Sequence, residues 1–150
     1  TYEMGLAGVV LSNHGGRQLD FARSGVEVLE EVMRELRKRG SFPNPAFQVM
    51  VDGGFRRGTD ILKALAMGAT AVGIGRPFLY AYSAYGVDGV IHAINLLRDE
   101  LEMNMRLIGA RSIEELVPSM VDLSALHNHT GAVFPKQDQS VLDFMDKSRL

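Results

Sequence analysis

Hydrophobic residues follow two different rhythms along the chain. Leu6 to Leu11 is a short, continuous apolar run, the pattern of a strand buried on both faces in a parallel sheet. After a polar segment at 12–23, Val26, Leu29, Val32, Met33 and Leu36 recur at helical spacing, predicting a helix from a Ser24 cap to about Arg39. Glu27, Glu30 and Glu31 fall early in it, while Arg34, Arg37, Lys38 and Arg39 fall late, complementing the helix dipole. Gly40 supplies the stop. The connector "SFPNP" leads to a second strand, Phe47 to Val51, which ends abruptly in "DGGFRRGTD". Thr59 is the expected cap of a short helix through Met67, stopped at Gly68. A third strand, Ala71 to Ile74, ends in "GRPF", and a polar-aromatic stretch follows it. A long helix is then expected from about Val87 to Ile108, with Val90, Ile94, Leu97, Leu101 and Met105 as its apolar stripe. "SIEE" at 112–115 has capping-box spacing and predicts one more short helix. Beyond about residue 124 the chain turns polar and irregular, dividing an ordered 1–123 from a C-terminal tail, 124–150.

Three β-then-α units in succession define an α/β chain with a parallel sheet and helical crossovers. The unusual residues follow the strands, at 12–20, 52–58 and 75–77. Carboxyl ends of parallel strands are where such folds place their chemistry. A complete eight-stranded barrel takes about 250 residues, so the chain is either a small open α/β domain or the last three βα units of a (β/α)8 TIM barrel.

Composition narrows the field. A net charge of −2 argues against a broad nucleic-acid surface or a polybasic membrane patch. No apolar run reaches the ~18 residues of a membrane span. The absence of cysteine excludes disulfides and thiol catalysis. Thr1 stands where an initiator methionine is usual, and "TYEMGLAG" lacks the regions of a signal peptide, so a processed chain or a piece of a longer one is expected.

In "DGGFRRG", Gly53 and Gly54 let backbone N–H groups approach a ligand, and the following helix start favours an anion. Arg56 and Arg57 can grip a phosphate bidentately. The alternative is a glycine-rich turn with solvated arginines. Gly75 and Arg76, after the next strand, bring a second glycine-plus-arginine loop to the same rim and favour phosphate binding. His14 and Arg17 stand three apart after the first strand. An imidazole can take a proton near neutral pH, and a guanidinium beside it can clamp a carboxylate. The pair suits proton abstraction from a small hydroxy acid, although Asn13, Gly15 and Gly16 are equally the residues of an ordinary turn.

The remaining candidates are weaker. His92 reads as a surface residue of the long helix, and Asp99, Glu100 and Glu102 as its solvated face. Tyr80, Tyr82 and Tyr85 read as cover for one end of the fold or for an interface. "HNH" at 127–129 lacks a third metal ligand at a convincing spacing, so no metal is expected. Asn128-His129-Thr130 is a glycosylation sequon that matters only in a secreted protein.

The ordered set "SNHGGRQLD", "VDGGFRRGTDILKALAMGA" and "VGIGRPFLYA" closely resembles the C-terminal part of the FMN-dependent 2-hydroxy-acid oxidases and dehydrogenases. That family includes glycolate oxidase, lactate oxidase and the cytochrome-linked L-lactate dehydrogenase. "NLLRDELEMNMRLIGARSIEEL" is similar to its last barrel helix. The resemblance implies that His14 is the base that removes a substrate proton and that Arg17 binds the substrate carboxylate. It implies that Asp52, Gly53, Gly54 and Arg56 hold the FMN ribityl-phosphate region, with Gly75 and Arg76 completing the phosphate site. The reaction implied is oxidation of an (S)-2-hydroxy acid to a 2-oxo acid, with oxygen or a cytochrome as final acceptor, in what is expected to be a homo-oligomer, a tetramer in relatives. The family's first five strands, with their lysine, tyrosines and histidine-orienting aspartate, have no counterpart here. A truncated, non-catalytic relative serving as a binding or assembly module is therefore the competing reading. Ser148-Arg149-Leu150 resembles the S-K-L peroxisomal address and favours an oxygen-using oxidase. Against it, "GRPFLYAYSAYG" and "VDLSAL" look more like the cytochrome-linked relatives, and a mitochondrial or cytoplasmic location is the alternative, since any targeting signal upstream of Thr1 is not seen.

Overall fold

The computed structural model describes residues 2–126. The 127–129 histidines, the sequon and the C-terminal tripeptide lie outside the described residues. Strands β1 (Gly8–Leu11), β2 (Gln48–Asp52) and β3 (Ala71–Gly73) form one parallel sheet in the order β1-β2-β3. Val9 pairs with Val49 and Leu11 with Val51, while Val51 also pairs with Val72 and Asp52 with Gly73. Helices α1 (Gly25–Lys38), α2 (Gly58–Met67) and α3 (Arg76–Leu107) follow the strands in turn. Three consecutive parallel βα units are consistent with a sector of a barrel.

The core forms where α1 and α2 cover one face of the sheet. Leu29 and Met33 of α1, Val51 of β2 and Met67 of α2 are the largest fully buried side chains. The strands alternate, contrary to the expectation of burial on both faces. Val49 and Val51 are buried towards the helices, whereas Val10 on the other face is 55% exposed. Helices pack on that one face alone, so the continuous apolar run reads the needs of two faces while this chain covers one. A second cluster joins Leu62 and Ala66 of α2 to Met105 of α3, Ala110 and Leu116. Leu123 and Leu126 also pack against the main core.

Local chemistry accounts for most element ends. Ser24 accepts from Glu27 N–H and Glu27 reaches back to Ser24 N–H, a complete capping box for α1. Gly68, at φ 114°, ends α2 in the left-handed conformation, and Arg37 donates to the Met67 carbonyl at 2.5 Å. Thr59 is not the cap of α2. The helix begins at Gly58 with Arg57 as its cap, two positions earlier than a Thr59 cap implies, because the Asp60 carboxylate accepts from Arg56 and Arg57 N–H, both at 3.0 Å. β3 stops at Gly73, one residue short of Ile74. The polar-aromatic stretch is itself helical. α3 starts at Arg76, with Pro77 in its first turn, and is broken at Gly86 (φ 62°), just before the expected start at Val87. Only the C-terminal part of the expected stripe packs firmly: Met105 is buried, but Ile94 is 51% exposed. "SIEE" forms a single 3-10 turn, Ile113–Glu115. Glu115, rather than Ser112, stabilises its start by accepting from Arg111 N–H at 2.8 Å. No helix among the described residues is long and apolar enough to cross a membrane.

Candidate functional site

Each strand delivers its chemistry-bearing loop to the same edge of the sheet. After β1 the chain turns through three consecutive residues of positive φ: His14 (55°), Gly15 (66°) and Gly16 (72°). Two of these conformations are free for glycine, but that of His14 costs energy and needs support. Asn13 provides it. Its side-chain oxygen accepts from Gly16 N–H at 3.1 Å and its amide donates to the Arg23 carbonyl at 3.2 Å, stapling both ends of the loop. Ser12 Oγ accepts the His14 N–H at 3.0 Å.

After β2, Gly53 (φ 87°) and Gly54 (φ 89°) turn the chain through a conformation that side chains rarely adopt. Phe55, 3% exposed, plugs this loop into the core. The adjacent arginines then part. Arg57 points to α3, where its Nη2 meets Glu100 Oε1 at 2.7 Å and its Nε donates to both carboxylate oxygens. Glu100 is therefore not merely part of a solvated face. The Arg57 side chain and the Gly58 N–H together hold its carboxyl below the usual range. Arg56 is exposed and lines the cleft, with no ion pair among the described residues.

After β3, Gly75 caps α3 and Arg76 is the first residue of that helix. Arg76 Nη2 donates to the Gly15 carbonyl at 2.8 Å, tying the third loop to the first. The three loops enclose an open cleft of about 570 Å³ lined by Gly15, Asp52, Gly53, Gly54, Phe55, Arg56, Ile74, Gly75, Arg76, Pro77 and Tyr80. Asp52, Gly53, Gly54, Arg56, Gly75 and Arg76 thus meet around one space. His14 and Arg17 stand exposed on the first loop, whose Gly15 lines the cleft, but are themselves outside that lining. Phe55, Ile74 and Pro77 join the wall with no sequence signal beyond their place near a strand-end glycine, and Tyr80, expected as cover for one end of the fold or for an interface, lines it as well.

Two structural features leave the cleft open to a polar, hydroxyl-bearing ligand. A Cβ built on Gly54 or Gly75 would meet nothing within 4 Å, so the described residues do not use the space these glycines leave open. Asp52 Oδ1 is buried and has no hydrogen-bond partner among the described residues, an acceptor that a ligand hydroxyl can satisfy and an anionic phosphate oxygen cannot. One expectation changes. The amino end of α2 does not face an anion, because Asp60 and Glu100 already take its N–H groups. The cleft instead lies at the amino end of α3. Among the described residues no group of three or more acidic, histidine or cysteine side chains is placed to hold a metal ion.

Fold and cleft together define a parallel βα protein with a glycine- and arginine-lined cleft at its strand ends. Residues 1–123 match the FMN-dependent dehydrogenase family, and the chain belongs to it. It is 61% identical over 126 residues to an L-lactate dehydrogenase (cytochrome) of Wickerhamomyces anomalus, covering 84% of this chain and 22% of that protein. It is 50% identical over 119 residues to a peroxisomal (S)-2-hydroxy-acid oxidase of Oryza sativa subsp. japonica, covering 79% of this chain and 31% of that protein. Among solved structures, a double mutant of flavocytochrome b2 with pyruvate bound superposes with a TM-score of 0.80 at 53% identity. That match covers 95% of this chain and 35% of the other. A mandelate oxidase variant superposes with a TM-score of 0.68 at 42% identity, covering 77% of this chain and 33% of the other. The chain therefore spans between about a fifth and a third of the curated relatives it matches.

Proposed function

We propose that the chain is the last three βα units of a (β/α)8 barrel in an enzyme that oxidises a lactate- or glycolate-like (S)-2-hydroxy acid to the 2-oxo acid. One observation carries this reading: loops from three successive strands converge on one cleft, with Arg76 bound to Gly15 between the first and the third. Asp52, Gly53, Gly54, Arg56, Gly75 and Arg76 hold the ribityl-phosphate part of FMN. FMN, when bound, supplies the two-electron redox chemistry. Arg17 clamps the substrate carboxylate, which holds the reacting carbon in place. His14 takes a proton from the substrate, a role that suits an imidazole near neutral pH. Flavin content and anaerobic flavin bleaching by L-lactate and glycolate, in the full-length protein, test this function. A flavin that binds but is bleached by neither acid counts against it.

Arg56→Ala and Arg76→Ala are each expected to weaken FMN binding about ten- to a hundredfold, since a hydrogen bond to a charged group is worth about 1.5–3 kcal/mol. Binding of riboflavin, which lacks the phosphate, is expected to change little. Fluorescence titration with both flavins checks this. FMN affinity unaltered by either substitution removes the phosphate assignment.

The open sheet face and the exposed Leu79, Tyr82, Tyr85 and Ile91 of α3 need cover from the rest of such a barrel or from neighbouring subunits. Residues 1–150 alone are accordingly expected neither to hold FMN tightly nor to turn over. Measurable 2-hydroxy-acid oxidation by that fragment contradicts this.

Relatives named as cytochrome-type dehydrogenases and as peroxisomal oxidases both lie near this chain, so either a cytochrome or oxygen fits as acceptor. Relatives named as peroxisomal (S)-2-hydroxy-acid oxidases support a peroxisomal location. Imaging a tagged full-length protein with and without Leu150 decides between that and the mitochondrial or cytoplasmic alternative.

A further inference from the structure

We propose that Glu100 is a positioning residue for the phosphate loop, clamping Arg57 and the first turn of α2 so that Arg56 is the cation this loop presents to the cleft. The inference rests on the flavin-phosphate reading above. Two neighbouring arginines leave β2 on the same short loop, and without a restraint either can swing towards an anion. Glu100 engages one of them with both oxygens, at 2.9 and 3.1 Å from Arg57 Nε and 2.7 Å from Nη2. The same carboxylate accepts the Gly58 N–H at 2.7 Å, so it grips backbone as well as side chain. The two segments are already pressed together. A Cβ on Gly58 would lie 2.5 Å from Leu101 N and 2.6 Å from Glu100 Cβ. Glu100 itself is anchored in α3, where its carbonyl accepts from Asn104 Nδ2 at 2.7 Å.

An ion pair this exposed, with Arg57 at 69% and Glu100 at 32%, adds little to global stability. What it does is fix geometry. The loop from Gly53 to Arg56 runs between Asp52 at the end of β2 and this clamp, and Gly53, Gly54 and Arg56 line the cleft. The clamp therefore sets where the Arg56 guanidinium stands when a phosphate arrives.

The test is a double-mutant cycle in the full-length protein, titrating FMN and riboflavin into the apoprotein of wild type, Glu100→Ala, Arg57→Ala and the double variant. Glu100→Gln is added as a milder change that keeps an acceptor for Gly58 N–H. Glu100→Ala and Arg57→Ala are each expected to weaken FMN about tenfold, with the double variant no weaker than the worse single one. Riboflavin affinity stays within about twofold, since the phosphate carries the effect. Glu100→Gln falls between wild type and Glu100→Ala. The two alanine variants remove opposite charges, so a simple electrostatic effect on a bound phosphate moves them in opposite directions. Tighter or unchanged FMN binding in Glu100→Ala overturns the proposal, as do additive losses or equal losses for FMN and riboflavin. Indifference of FMN to Arg56→Ala instead marks failure of the underlying phosphate reading, whatever Glu100 does.

Discussion

Replacing His14 by glutamine is expected to lower kcat about a hundred- to ten-thousandfold in the full-length enzyme, the range that a lost general base spans. Glutamine keeps a polar side chain of similar reach but cannot hold the substrate proton. His14 lies outside the lining of the phosphate cleft, so FMN content is expected to stay at the wild-type level. The His14 backbone, at φ 55°, is held by Ser12 and by the Asn13 staple rather than by the imidazole. The loop thus has no reason to collapse when the ring is removed. Single-turnover reduction of the flavin by substrate, beside a flavin-content assay, checks both halves. A kcat within about threefold of wild type, where a lost base costs at least a hundredfold, assigns the proton transfer elsewhere.

Leu29→Ala is expected to cost about 2–5 kcal/mol of stability, the usual cost of emptying a packed leucine site. Leu29 has no solvent exposure and sits where α1 meets the sheet beside Met33 and Val51. The consequence reaches the site. Gly25, at the start of the same helix, is so close to the strand ends that a Cβ there would lie 2.6 Å from the Asp52 carbonyl and 3.0 Å from that of Leu11. Loosening α1 therefore loosens the rim that carries Asp52. The measurement is the urea midpoint at unchanged slope, with Lys38→Ala on the outer side of the same helix as the control. Lys38 is exposed, and its loss is expected to stay within about 0.5 kcal/mol. Equal shifts for the two variants contradict the packing described for α1.

Local signals were legible where the chemistry is local. The Ser24 cap and the Gly40 and Gly68 stops act within a few residues, and their φ values or hydrogen bonds match the reading. The clustering of odd residues after each strand followed from the βα alternation. The errors came where distant partners decide. Thr59 is an acceptable cap by type, but Asp60 took the N–H groups of Arg56 and Arg57, and Glu100 took that of Gly58. Glu100 read as solvated because its partner lies 43 residues away in the chain. Ile94 fits the helical stripe by spacing, yet among the described residues nothing packs over that stretch of α3 closely enough to bury it.

By itself the sequence determined that this is a parallel βα chain whose glycine, arginine and histidine residues follow its strands. Hydrophobic period, caps and turn residues act over a few positions and leave their mark there. The family resemblance singled out Arg56, but only the tertiary structure decided that Glu100 holds its neighbour Arg57, that the helix after the second glycine loop is already capped by carboxylates, and that Arg76 reaches Gly15 across 61 residues of sequence. Those outcomes depend on which donors and acceptors folding brings within about 3 Å of each other, and no spacing along the chain encodes that distance.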